Sequence, residues 1–242
     1  MLDEQIINQI REQVDSEFEI CGVVIQDELY VSKNVSPEPR LNAAYDSETI
    51  DRIQLALKNH RKPTLFHTHT RHSKLDDFSV QDIKSSRAWK LPSFLLHVPS
   101  GIPRYYDPLE VKPLLGREWH WSYQNCYTLA QDYYRSLGIQ LSDFYLESPD
   151  EFNDPRFNRF AENVLAQGFR RLRPNEALQE SDFLLFNLVG LNPNHCGVFL
   201  APERNRFLHQ LVNRLSKESI YGSEYRNLTH SVYRHRTLDD AN

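Results

Sequence analysis

Cysteine is scarce, with only Cys21, Cys126 and Cys196 in 242 residues. An odd, sparse count argues against a disulfide framework and fits synthesis in a reducing cytosol. Long apolar runs are missing as well. No stretch approaches the ~20 residues that a membrane helix needs, so no membrane span is expected. The opening MLDEQIINQIREQ has no basic region followed by an apolar core, so no secretory signal is expected there. Nor is there an excess of basic charge. Lys and Arg number 28 against 33 Asp and Glu, a net charge of -5, which leaves no overall basic field to hold nucleic acid. There is no internal repeat and no low-complexity tract.

What remains is ordinary globular composition, 40% hydrophobic and 25% charged, in a chain long enough for one large domain or two small ones. Ile6, Ile7, Ile10 and Val14 recur at helical spacing. Residues 18–25 (FEICGVVI) read as a buried strand with 28–32 as its hairpin partner. Residues 47–58 read as a helix capped by Asp46 or Ser47, with Ile50, Ile53 and Leu57 on one face. TLFHTH reads as a short strand, Ser79 as the start of the next helix, and SFLLHV as a further strand. This α/β unit is expected to close near Pro103. Four prolines and two glycines make 99–118 the best connector, since proline cannot donate to a helix or ladder. In the second half, Cys126, Leu129, Ala130, Tyr133 and Leu137 share a helical face that stops at Gly138. A helix is expected after Asp154 and Pro155. Strand-like runs follow at 182–190, 195–201 and 206–212. Helix first, then strands, suggests an α+β unit.

Two groups of residues carry chemistry. In a strand, His67 and His69 point to one face, because side chains alternate with period two. Two imidazoles at a strand end make half of a tetrahedral zinc site. Asp82, at the start of the following helix, supplies a third donor and leaves a fourth position for water, whose pKa zinc lowers toward ~7. Each piece is ordinary alone: H-x-H arises by chance, and S-x-x-D is a helix capping box. His72, Asp76 and Asp77 are read as a solvated loop, although they too could bind metal. In the second half, Cys126 sits at a helix start, where the partial positive charge favours thiolate. A nucleophilic cysteine needs a base and a group that orients the base. His195 and His209, on adjacent antiparallel strands, are placed to do both. Alone, Cys126 reads as a small buried hydrophobe and the histidines as satisfied strand residues. Cys196 is expected to point away from His195, into the core.

The order E-x-C-G (from Glu19), H-x-H (His67, His69), S-x-x-D (Ser79, Asp82) resembles the JAMM (MPN+) metalloprotease family over residues 1–103. The resemblance implies a cytidine-deaminase-like α/β fold, zinc held by His67, His69 and Asp82, Glu19 as acid/base, and Ser79 as a donor to the oxyanion. The family usually has proline after the second histidine, where this chain has Thr70. The sequences QNCYTLAQDYY, SDFLLFN, HCGVFLA and RFLHQL resemble the NlpC/P60 peptidases, papain-like enzymes of bacterial wall peptides, over residues 119–242. That resemblance implies Cys126 as nucleophile, His195 as base and His209 as the orienting residue. Family members often have aspartate and glycine where this chain has Asn125 and Ser181. Residues 104–118 would link the two domains.

JAMM followed by NlpC/P60, with the closing stretch SIYGSEYRNLTHSVYRHR, resembles the tail tip proteins of lambda-like phages. The resemblance implies a virion protein of the tail tip, made in the host cytoplasm, with other tail tip proteins as partners and peptidoglycan peptide as substrate. It would act in tail assembly or in local wall degradation during genome entry. A structural assembly component without turnover, or an assembly protease cutting a phage protein, are the other readings the sequence leaves open. The closing stretch itself either packs back on the sheet or docks on a partner.

Overall fold

The structure, a computed structural model, describes residues 2–73, 75–146, 149–154, 156 and 159–239. The chain divides into two compact units, Met1–Glu110 and Val111–Asn242.

The first unit is a sandwich of helices about one sheet. Its elements run α1 (Glu4–Glu12), β1 (Cys21–Ile25), β2 (Glu28–Ser32), α2 (Ser47–Lys58), β3 (Thr64–His69), α3 (Val80–Trp89), β4 (Ser93–His97) and β5 (Ile102–Tyr106). The strand order is β2-β1-β3-β4-β5. Only β3 and β4 are parallel, and α3 is the crossover between them. Alternation along the strands sorts the core by face. Val24 and Phe66 pack with Ile6, Ile7 and Ile10 of α1. Their neighbours Val23, Ile25 and Leu65 pack with Ile53 and Ala56 of α2. Asp46 is the cap of α2, accepting from Thr49 N. The buried face of α2 is Thr49, Ile53 and Ala56, so Leu57, expected inside, is exposed.

The first unit does not close at Pro103, and residues 104–106 are not connector. They belong to β5, which pairs with β4 over Ser93↔Tyr106 to His97↔Ile102. The prolines that suggested a break are tolerated because β5 is an edge strand, where a missing N–H costs no ladder bond. At the other end of the expected connector, Gly116 N donates to Ser216 O and Arg117 N to Ser216 Oγ, both at 2.9 Å, so these residues are tied into the second unit.

The second unit contains α4 (Cys126–Ser136), a 3-10 turn at Pro149–Asn153, α5 (Arg159–Ala166), β6 (Phe169–Arg171), β7 (Phe183–Phe186), β8 (His195–Ala201), β9 (Arg206–His209), β10 (Lys217–Ile220), α6 (Ser223–Leu228), β11 (Thr229–His235) and α7 (Arg236–Asp239). Pro155, expected to precede α5, lies outside the described residues. The antiparallel sheet has the order β10-β9-β8-β7-β11-β6. Helix α4 ends where Gly138 adopts φ +78, and it lays Leu129, Ala130, Tyr133 and Tyr134 on Phe183, Leu185, Cys196 and Val198.

The closing stretch packs back: β11 slots between β7 and β6. Arg234 of β11 reaches the fully buried Asp182 with two bonds of 2.8 and 2.9 Å. Removing one partner of such a buried pair would leave an uncompensated charge, costing on the order of 3–5 kcal/mol. Ser181, beside it, has φ +69, a conformation that favours glycine. The Tyr133 hydroxyl meets its Oγ at 2.8 Å and the Tyr134 hydroxyl donates to its carbonyl at 2.6 Å, so two tyrosines of α4 hold the serine there.

Candidate functional site

In the first unit, β3 ends with His67 and His69 on one face, both buried. Helix α3 begins beside them. Ser79 is its N-cap and Asp82 its third residue, joined in a capping box. His67 Nε2 lies 3.3 Å from Asp82 Oδ1, and His69 Nε2 3.4 Å from Asp82 Oδ2. Among the described residues this is the group whose ligand atoms converge, all within 4.8 Å of one another. Tetrahedral donors at ~2.0–2.1 Å from a metal sit roughly 3.3 Å apart, so the spacing suits a cation. His69 Nδ1 meets Leu75 O at 3.0 Å, which turns its Nε2 inward. His67 Nε2 is buried with no hydrogen-bond partner, as is Glu19 Oε1. Buried polar atoms left without partners are rare, and two beside one cluster fit residues that would take a ligand.

Burial pushes the Glu19 carboxyl up to about 7, with His69 opposing and Asp82 reinforcing the shift. For Asp82 burial also favours the neutral acid, but His67 and His69 outweigh it and hold the group well below the usual range. The Ser79 hydroxyl donates to Asp82 Oδ2 at 2.7 Å, so here it steadies the carboxylate. Donation to an oxyanion would require that bond to open. Thr70, where the resembled family has proline, is buried and donates to Arg40 O at 3.1 Å. His72 turns to Glu17 at 3.0 Å and stays out of the cluster.

In the second unit, Cys126 is the first residue of α4. Asn125 caps the helix, accepting from Tyr127 N and Thr128 N, so the exchange of aspartate for asparagine leaves the cap intact. His195 opens β8 and His209 closes β9. Their strands are antiparallel, with Gly197 opposite His209. A Cβ at Gly197 would meet Leu208 O at 2.8 Å and the Phe207 ring at 2.8 Å, so glycine lets the strands close and the histidines touch. His195 Nε2 meets His209 Nδ1 at 3.1 Å, and His209 Nε2 meets Ser219 Oγ of β10 at 2.9 Å. Burial, then the neighbouring His195 and Lys217, drive His209 down to about 3, so it is neutral near pH 7.

Cys126 is held well below the ordinary thiol range. The largest cause is a hydrogen bond from the Cys196 thiol; burial opposes it, and His195 adds to the lowering. Cys196 is buried in the core as expected, but it also touches the Cys126 thiol, and burial pushes its own thiol well up. Cys21, in the first unit, is pushed by burial up to about 12. Sequence reasoning therefore brought together Cys126, His195 and His209, and missed Cys196 and Ser219. The adjacency of Cys196 to His195 was the only local hint. Nothing local marked Ser219.

A thiol of lowered pKa at a helix start, backed by a line of two histidines and a serine, is an arrangement that suits a cysteine nucleophile. Residues 116–234 match the NlpC/P60 family, so the second unit carries an NlpC/P60 domain, a class of cysteine peptidases and hydrolases. Over 126 residues the chain is 32% identical to "Tail tip assembly protein K" of Escherichia phage lambda. That match covers 52% of this chain and 61% of the lambda protein, so the chain spans about three fifths of the relative's length. A crystal structure of an NlpC/P60 family protein from Bacillus cereus overlaps 97% of this chain and 67% of its own chain, with 9% sequence identity and a TM-score of 0.34. So low a score leaves the assignment resting on the sequence match.

Proposed function

We propose that this chain is a phage tail tip protein with two hydrolase sites, carried in the virion and made in the host cytoplasm. In this reading the second unit cuts peptides of bacterial peptidoglycan, and the first is a JAMM/MPN-type zinc domain. The observation that carries the proposal is the run from Cys126 through His195 and His209 to Ser219.

Cys126 is the nucleophile. As thiolate beside a protonated His195, it attacks the carbonyl carbon of a peptide bond. His195 gives its proton to the leaving amine as the C–N bond breaks, leaving a thioester. His195 then takes a proton from water, which attacks the thioester and frees the thiol. His209 holds His195 in one orientation through the ring nitrogen that does not face the sulfur.

In the first unit, His67, His69 and Asp82 would hold zinc, and their geometry and unpaired donor fit it. Zinc, when bound, supplies Lewis-acid polarisation of a carbonyl. Glu19 moves the proton to the leaving amine. Ser79 orients Asp82, and the resemblance adds donation to the oxyanion. The chain passes from the first unit to the second at Glu110–Val111.

The partners in this reading are other tail tip proteins. The printed name of the lambda relative favours a second reading, in which the chain serves tail assembly, either as a structural component without turnover or as a protease acting on a phage protein. Digestion of purified peptidoglycan by wild type and by Cys126→Ala separates them. New muropeptides released by wild type alone support the hydrolase. Identical, uncut peptidoglycan in both supports assembly.

A further inference from the structure

Away from both catalytic clusters, the second unit has a cleft of about 660 Å³ beside β6 and β11. Arg171, Arg173, Arg226 and His230 line it, with Glu176 as the single carboxylate. That carboxylate is already committed. It accepts from Arg170 at 2.6 and 3.0 Å and from Arg234 at 3.3 Å. Among the described residues, none of the three lining arginines is ion-paired with a carboxylate.

Two of them are fixed by uncharged groups instead. Arg226 donates to Tyr221 O at 3.1 Å and to Asn205 Oδ1 at 3.2 Å, and lies over the Tyr221 ring. Arg171 donates to His230 O at 3.4 Å. A guanidinium held this way keeps its charge uncompensated and much of its donor fork open. In a chain of net charge -5, such a gathering of unpaired arginines runs against the composition. A second cavity, of about 420 Å³, shares Arg173, Pro174 and Glu176 with the first and adds Arg170, whose charge Glu176 and Asp239 already answer. Leu172, Pro174, Leu178 and Val232 give the cleft apolar walls.

We propose that this cleft docks an acidic peptide segment of a partner protein, with its carboxylates taken by Arg171, Arg173 and Arg226. A lone small anion would use one arginine and leave the apolar walls uncovered. An extended segment alternating carboxylates with apolar side chains uses both. The proposal stands independently of the hydrolase reading.

The test is fluorescence polarisation on the full chain with a labelled peptide of alternating glutamate and leucine, beside its counterpart with glutamine for every glutamate. The acidic peptide should bind at least about tenfold tighter, as charge-assisted pairs require, and lose affinity with added salt. The Arg171→Ala/Arg173→Ala double variant should weaken binding about tenfold while Cys126 alkylates at the wild-type rate. Both residues are exposed, and the alkylation rate reports an intact fold. The single Arg173→Glu reversal should weaken binding as well. Equal binding of the two peptides, or unchanged affinity in the variants, would overturn the proposal. So would displacement of the peptide by inorganic phosphate at equal concentration, which would reduce the cleft to a simple anion site.

Discussion

His195 Nε2 and His209 Nδ1 stand 3.1 Å apart, and that single contact fixes the direction of a proton chain. A protonated His195 must donate through Nε2, so His209 Nδ1 must accept. His209 is neutral, carries one proton, and must hold it on Nε2, facing Ser219 Oγ at 2.9 Å. Ser219 has one donor and two acceptor sites, so its oxygen can take that proton. The serine thus gives that proton a partner in the His209 tautomer that accepts from His195.

Ser219→Ala should free His209 to place its proton on Nδ1, against His195. Alkylation of Cys126 near pH 6.5 should slow about tenfold, the scale of one buried hydrogen bond, and its pH profile should move to higher pH. Ser219→Thr keeps the hydroxyl and should restore both. An unchanged profile in Ser219→Ala would mean that the serine only packs.

His209 should make the second unit acid-labile. Its folded pKa, about 3, lies below the 6.5 of the free side chain. A depressed histidine contributes stability above the unfolded value, and that contribution is lost as pH falls toward the folded one. Urea unfolding should therefore show stability dropping below pH 6.5 by up to about 1.4 kcal/mol per unit. His209→Gln should flatten the slope. An equal slope in the variant would assign the acid lability elsewhere.

Cys196 supplies the largest lowering of Cys126. Cys196→Ala should slow labelling of Cys126 at pH 6.5 and leave it fast at pH 9, where the thiol ionises without help. Cys196→Ser retains a donor and should fall between. A rate unaffected by either change at both pH values would remove Cys196 from the site.

For the first unit, wild type should retain one zinc per chain, and His69→Ala should lose it. Glu19→Gln should keep the metal, since Glu19 is assigned to proton transfer. Metal analysis after dialysis decides. Stoichiometric zinc in a His67/His69 double alanine variant would contradict the site, and zinc lost from a folded Glu19→Gln would make Glu19 a ligand.

What could be read in advance was local. The alternation that puts His67 beside His69, the Ser79 capping box and Cys126 at the start of α4 are set by near neighbours in sequence, and so are α2 and the β1–β2 hairpin. What escaped depends on distant pairings. Strand β5 was hidden by prolines that only its edge position excuses. The slot of β11 between β7 and β6 depends on Arg234 finding Asp182, 52 positions away. Ser219 reaches His209 only because β10 pairs with β9. Cys196 reads as core, and it is core; that a core thiol also touches Cys126 follows from where α4 crosses β8, which no local pattern encodes.

The most direct test of the account is the order in which the three thiols react. A limiting dose of alkylating reagent near pH 6.5, followed by peptide mass mapping, should label Cys126 first and leave Cys21 and Cys196 untouched, because burial raises both of their pKa values. His195→Ala should label Cys126 much more slowly at that pH. Equal labelling of all three thiols, or a rate that ignores His195, would contradict a thiolate–imidazolium pair in this domain and leave a papain-like shell serving tail assembly.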